Sequence, residues 1–506
     1  MAASSGQAGA GLGLIREQFD RAAFTHSPSS FRYSVQRNRE GYSFEFDKAP
    51  DGTLRGKRAL PYFIGSGAAA RSYLLATDGF LYEAPVAYYA RGARWNLAPG
   101  YDGYAYPYLT RPIQPGCLNC HAGFLDPAPG FPNRFATPPF REAGVACERC
   151  HGPGEAHIAG MKSGGSEGGP RIVNPVKLGA SRRDSVCSQC HLSGEARVMR
   201  PGRDWRSFRP GEELADSMTV FVRSGGSPGM KVAGHVEKLA QSACRRAAGE
   251  RLWCGGCHDP HAAPKPDRRA AWFREKCLSC HDPGACRETA AARARSRDDC
   301  VACHMPKSPA VDAPHVVFTD HSIPRRPRQT PAGPPPDAEL VPFGGGRASD
   351  RDLALAYAMV AQRERNAAYQ SRAVTLLESA EREAPDDTEV LLYLAELYRN
   401  AERPDPAIPL YERAMRLDPA QVTASVGLGG IRMQRGEYRD AIRLWEDALS
   451  KNPGLPLVRV NLALAQWRVN DLRSAESNLE KAVDLNPGLA AAAELLLRLR
   501  QIPRAR

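Results

Sequence analysis

Apolar positions along the chain follow three different rhythms. Between 31 and 110, the stretches FRYSVQ, YSFEFD, LPYFIG and YLLATDGFLYEAPVAYY are short, aromatic and β-branched, and DG and GSG turn signals separate them. That pattern predicts strands and a small β-rich lobe. From 111 to 321 proline and glycine break the chain repeatedly, and helical spacing survives only in pieces such as REKCLSC and ETAAARARSRDDC. Beyond 350 alanine and leucine recur at helical spacing to the C-terminus. The predicted fold class is mainly α: a β-rich N-terminal lobe, a loop-rich middle and a C-terminal α-solenoid.

The solenoid carries a strict period. Pro385, Pro419, Pro453 and Pro487 lie 34 residues apart, as do Ala373, Ala407, Ala441 and Ala475, and again Ala380, Ala414, Ala448 and Ala482. Ala361, Ala395, Gly429 and Ala463 mark a fourth small-residue position. Small side chains let two helices approach closely, and the proline ends the second before the next repeat begins. The stretch resembles tetratricopeptide repeats. The resemblance implies four repeats over 351–489, a capping helix over 490–506, and a groove for a peptide or protein partner. Tyr411, Trp445 and Trp467 are expected to pack between helices rather than to meet a ligand.

The remaining boundaries follow from composition. Residues 1–30 form an N-terminal segment before the lobe at 31–110, and 322–350 read as a Pro/Gly-rich linker whose RRPR cluster is a solvated connector. The chain has 506 residues, 42% hydrophobic and 25% charged, which excludes a disordered chain. Its longest apolar run, LALAYAMVA, covers about half of a bilayer crossing, so no integral membrane span is expected. The net charge of +12 would suit an acidic partner, but no nucleic-acid motif accompanies it.

The middle segment is organised by cysteine instead. CLNCH at 117, CERCH at 147, CSQCH at 187, CGGCH at 254, CLSCH at 277 and CVACH at 300 use twelve of the fourteen cysteines. A CxxC pair alone most often means zinc or a redox disulfide, yet neither needs a histidine immediately afterwards. A c-type haem does: two thiols add to the porphyrin vinyl groups, and the adjoining imidazole binds the iron. Six covalent haems are therefore predicted over 111–321, held by Cys117, Cys120, Cys147, Cys150, Cys187, Cys190, Cys254, Cys257, Cys277, Cys280, Cys300 and Cys303. The proximal ligands are His121, His151, His191, His258, His281 and His304.

Twelve histidines less these six leave His26, His157, His235, His261, His315 and His321. Six irons and six spare imidazoles match, so each is a candidate distal ligand. His261 lies three residues after its own proximal histidine, on the wrong side of that haem, and must reach a neighbour. Haems so ligated would form the core that the loop-rich segment lacks. A ferric bis-histidine haem carries about −1 with its propionates, so six offset roughly half of the basic excess. Arg293, Arg295 and Arg297 are either propionate partners or a solvated helical face. Cys244 and Cys286 lie outside the motifs; an oxidising compartment would pair them as a disulfide, and otherwise they are two buried thiols.

CERCHGPGEAH, CGGCHDPH and CVACHMPK with the trailing His315 and His321 resemble the multihaem cytochromes c that include hydroxylamine oxidoreductase and the multihaem nitrite reductases. That resemblance implies an exported protein. None of the six motifs ends in the lysine of the nitrite reductases' active haem, and no secretory leader is visible in residues 1–26. A periplasmic or extracellular location is expected, with a reading frame that extends upstream of Met1. The functional expectation is an electron carrier serving a redox partner protein. The alternative is an oxidoreductase acting on a small nitrogen or sulfur compound at one five-coordinate haem.

Overall fold

The computed structural model describes residues 4–502, apart from 50, 51, 53, 66, 67, 129, 130, 132, 164–171, 227, 228, 326–334 and 336. The chain divides into two compact units: residues 1–146 together with 349–506, and residues 147–348.

The first unit opens with ten strands: β1 (Ser5–Gln7), β2 (Ala23–His26), β3 (Phe31–Asn38), β4 (Gly41–Lys48), β5 (Arg55–Leu60), β6 (Tyr62–Ile64), β7 (Ala70–Thr77), β8 (Phe80–Tyr89), β9 (Arg94–Leu97) and β10 (Arg111–Pro112). They form a four-stranded sheet, β2-β3-β4-β5, and a six-stranded one, β1-β6-β7-β8-β10 with β9 also on β8. Strands thus begin upstream of 31, where the apolar alternation is too brief to read. In β3, Phe31, Tyr33 and Val35 face inward while Arg32 stays exposed, as a half-buried strand requires. β8 is buried along its whole length, the mark of a strand covered on both faces. Beside it Arg71 pairs with Glu17 at 2.5 Å, and Glu17 also accepts the Tyr73 hydroxyl at 2.9 Å.

The same unit contains the helical repeats: Asp350–Glu364 with Ala367–Glu383, Thr388–Asn400 with Pro404–Leu417, Val422–Gln434 with Tyr438–Lys451, Pro456–Arg468 with Leu472–Leu485, and a last helix, Ala490–Arg500. The twelve small residues of the period sit where helices cross. Ala373, Ala407, Ala441, Ala380, Ala414 and Ala448 are sealed from solvent. At Gly429 a Cβ would lie 2.5 Å from Trp445 Nε1, so only glycine admits that indole. Trp445 and Tyr411 are buried between helices, as their spacing predicts, and Trp467 packs on the neighbouring cluster.

The lobe and the repeats are not separate modules, although more than two hundred residues part them in sequence. Tyr82 reaches Asn452 at 3.5 Å, Arg58 donates to the Asp484 carbonyl at 2.6 Å, and Gly454 and Gly488 press against Tyr82 and Tyr106 so closely that a Cβ would clash. Both glycines lie in an Asn-Pro-Gly turn between repeats.

The second unit has little regular structure. Met218–Arg223 is the central strand of a three-stranded antiparallel sheet, flanked by Ala196–Met199 and Leu340–Pro342. Lys307–Pro309 pairs with Val317–Thr319. Part of the expected linker is therefore structural: Leu340 is buried, and the Phe343 N–H donates to Val220 O at 2.8 Å. Arg325 is the one described residue of the RRPR cluster. A single apolar cluster, built on Leu192, Met199, Phe208, Leu214, Met218 and Val220, supports this sheet. From 243 to 312 no residue is buried, although short helices punctuate the stretch.

Candidate haem c sites

Each CxxCH falls on a helix or its last turn. In 147–151, 254–258 and 277–281 the histidine N–H donates to the carbonyl of the first cysteine at 3.0, 2.9 and 3.0 Å. One helical turn thus brings both thiols and the imidazole, at positions i, i+3 and i+4, to one face. All fourteen cysteines are free thiols. Among the described residues no three His, Cys, Asp or Glu side chains close into a cage for a metal ion.

The six motifs do not share one unit. CLNCH lies on helix Pro115–His121 in the first, where Leu118 and Cys117 pack against Ile64, Leu74 and Leu81 of the lobe. Burial there pushes the Cys117 thiol up to about 12. The other five motifs belong to residues 147–348. The segment 111–321 is therefore split, because Leu118 gives its motif an apolar anchor on the β-sheet.

In the second unit four imidazoles gather. His191 and His235 have ring centres 5.3 Å apart, His235 and His321 5.1 Å, and His258 and His321 6.1 Å. Apart from this group, His151 and His261 stand 5.9 Å apart with ring planes 13° from parallel. Several rings have a defined tautomer. His151 Nδ1 lies 2.7 Å from Val173 O, His304 Nδ1 3.1 Å from Pro324 O, and His321 Nδ1 2.9 Å from Thr319 O. A carbonyl only accepts, so in the neutral ring Nδ1 carries the proton and Nε2 keeps the lone pair that a metal needs.

Electrostatics favour the same neutral form. Burial holds His235 down to about 3, helped by His191, His321 and His258, and burial likewise lowers His191, His258 and His321. His191 and His258 are nevertheless exposed to solvent. His235 Nδ1 is buried without a hydrogen-bond partner. The donor set fits haem c: imidazoles whose ring centres lie 5.1–6.1 Å from one another, in the same unit as five of the paired-thiol motifs.

Other candidates are placed differently. His26 ends β2 in the first unit, its Nδ1 2.7 Å from Ser29 Oγ. His157 lies on helix Glu155–Lys162, and His315 stands exposed in a left-handed turn with φ 58°. Among the described ring contacts none pairs His26, His157, His281 or His304 with a second imidazole. Arg293 is engaged by Asp298 at 2.8 and 3.0 Å, and Arg274 meets the same carboxylate, so its guanidinium is not free for a propionate. Arg295 and Arg297 lie on or just past the short helix Ala290–Arg295. Cys244 is half-buried and lies near Cys257 and Cys277, whereas Cys286 is exposed beside Arg293. They are not joined, and Cys286 is not buried.

Four contacts escape sequence reading. Phe318 meets His235 edge-on at 5.4 Å and Phe273 meets His258 at 5.5 Å. The Cys187 and Cys254 thiols, from different motifs, share a hydrogen bond that raises the first and lowers the second, and Cys277 and Cys300 are joined similarly. No spacing rule foretells contacts between motifs.

Two families match parts of the chain. Residues 371–422, 394–456 and 426–488 match the tetratricopeptide repeat. Residues 107–152, which span the first two motifs, match cytochrome c554 and c-prime, and that match implies covalently bound haem c. No curated protein matches the chain. Similar solved structures include a crystal structure of MamA (20% identity, 28% of this chain and 83% of that one, TM-score 0.27) and MamA from AMB-1 (24%, 30% and 79%, 0.27). A third is MamA 41-end from Desulfovibrio magneticus RS-1 (19%, 31% and 86%, 0.28). At these scores the likeness carries no weight for function. No described helix is long and apolar enough to cross a membrane.

Proposed function

We propose that this chain is an exported multihaem cytochrome c that passes electrons through six haems attached at its CxxCH motifs and docks a protein partner on its repeats. The observation that carries this reading is the chain of neutral imidazoles His191, His235, His321 and His258 in the second unit. Haem c supplies a one-electron couple when bound. The cysteine pairs tether it permanently. Imidazoles on both sides of an iron leave no position for substrate, and Phe318 and Phe273 pack edge-on against His235 and His258. Thioether attachment takes place outside the bacterial cytoplasm, which is the ground for export. On the solenoid, a hollow of about 370 Å³ between Met415, Leu428 and Leu444 is rimmed by Glu412, Arg432, Asp440, Arg443 and Asp447, a mixed-charge seat for a partner segment.

One observation favours the alternative. His26 sits on a β-edge and bonds to Ser29. If it is not a ligand, five spare histidines serve six irons, and one open iron would suit an oxidoreductase for a small nitrogen or sulfur compound, related to the hydroxylamine oxidoreductase group. Electron paramagnetic resonance of the oxidised protein separates the two readings. The carrier gives low-spin signals alone; a stoichiometric high-spin signal would move the enzyme ahead.

A further inference from the structure

A distal ligand need not come from the chain next to its own motif, and residues 254–261 supply a case. We propose, on the reading that haem c is attached at these motifs, that His261 is the distal ligand of the iron anchored by Cys147 and Cys150, so that the tail of one motif closes the site of another. The His151 and His261 rings have centres 5.9 Å apart and planes 13° from parallel. Two imidazoles that bind one metal from opposite sides, at about 2 Å each, have ring centres roughly 6 Å apart. The tautomer agrees: Val173 O takes the Nδ1 proton of His151 and leaves Nε2 for the metal.

His261 is set in place by its own tripeptide. Asp259 Oδ1 accepts the His261 backbone N–H at 2.9 Å, an Asx turn across Pro260, and lies 3.6 Å from His261 Nδ1. The carboxylate thus lies on the Nδ1 side of the ring. At its own motif another imidazole already lies near His258: His321, with ring centres 6.1 Å apart. The nearer candidate in sequence, His157, has no described ring contact with His151. The crossing also gives the unburied stretch from 243 to 312 a fixed point on the helix Glu148–His151.

The test is spectroscopic and uses the full-length, haem-loaded protein. In H261A the covalent haem count should equal that of wild type while one low-spin iron becomes high-spin. In a C147A/C150A background, which lacks that haem, adding H261A should produce no new high-spin signal. H261M serves if the alanine variant folds poorly: the iron should stay low-spin with a raised potential, and the shift should disappear in the same background. An unchanged spectrum in H261A, or a high-spin signal that persists in the C147A/C150A background, would overturn the assignment. Failure of the underlying reading looks different, since wild type would then carry no covalent haem at all.

Discussion

The two units reach compactness by different means. In residues 1–146 and 349–506, aromatic rings and small-residue helix crossings seal an interior: β8 is buried throughout, and the alanines of the period are closed to solvent. In residues 147–348 a modest apolar cluster supports the three-stranded sheet, and the seventy or so residues with three CxxCH motifs bury nothing. Their recurring chemistry is imidazole and thiol rather than leucine. The contrast teaches that the first unit is encoded by hydrophobic pattern, while the second is marked by CxxCH motifs, which on the proposed reading are attachment points for a core that is not made of amino acids.

The sharpest way to break this comparison is to withhold haem attachment during expression. Limited proteolysis followed by mass spectrometry should then find 243–312 cut at least tenfold faster than in the haem-loaded protein, with the repeat helices equally resistant in both. Equal protection of the stretch with and without haem would remove the distinction.

Within the first unit, Trp445→Ala should lower unfolding stability by about 3–5 kcal/mol, read from a denaturant titration, and leave haem content unchanged. Gly429→Ala, which pushes a methyl into the same indole, should cost about 1–3 kcal/mol. A smaller loss, about 1–2 kcal/mol, is expected for Gly488→Ala, where the methyl meets Tyr106 of the lobe. Its signature is a lobe that unfolds before the repeats. A single unchanged transition would mean that this contact does not couple them.

The smallest effect concerns pH. Glu83 is buried in β8 and pairs with Arg111 at 3.2 Å, yet burial outweighs the guanidinium and its carboxyl titrates above the usual range. A carboxyl raised on folding stabilises below its unfolded value and loses that contribution as pH rises through the folded one. Glu83→Gln should remove this decline, so the gap between variant and wild type should shift by about 1 kcal/mol or less between pH 4 and pH 7. A gap that does not vary with pH would count against it.

How much of this was legible in the sequence differs between the units for the same reason. The repeats could be read because Pro385 and its equivalents, together with three registers of alanine and the small residues of the first helix, repeat a local constraint. The CxxCH motifs could be read because their spacing is set by the porphyrin. The joining of lobe and repeats could not, since Tyr82 with Gly454 and Tyr106 with Gly488 are contacts across more than three hundred residues with no spacing signal. Leu118 looked like part of the haem segment, and only the sheet beside it shows that its motif is anchored to the lobe. The need for His261 to leave its own motif followed from a three-residue offset; its meeting with His151 required the fold.

The central claim, that haem supplies the interior which side chains do not, is tested most directly by the intact mass of the purified chain after denaturation, with a pyridine haemochrome assay on the same sample. The account predicts six haems that remain attached through acid-acetone extraction. Three or fewer per chain would contradict it.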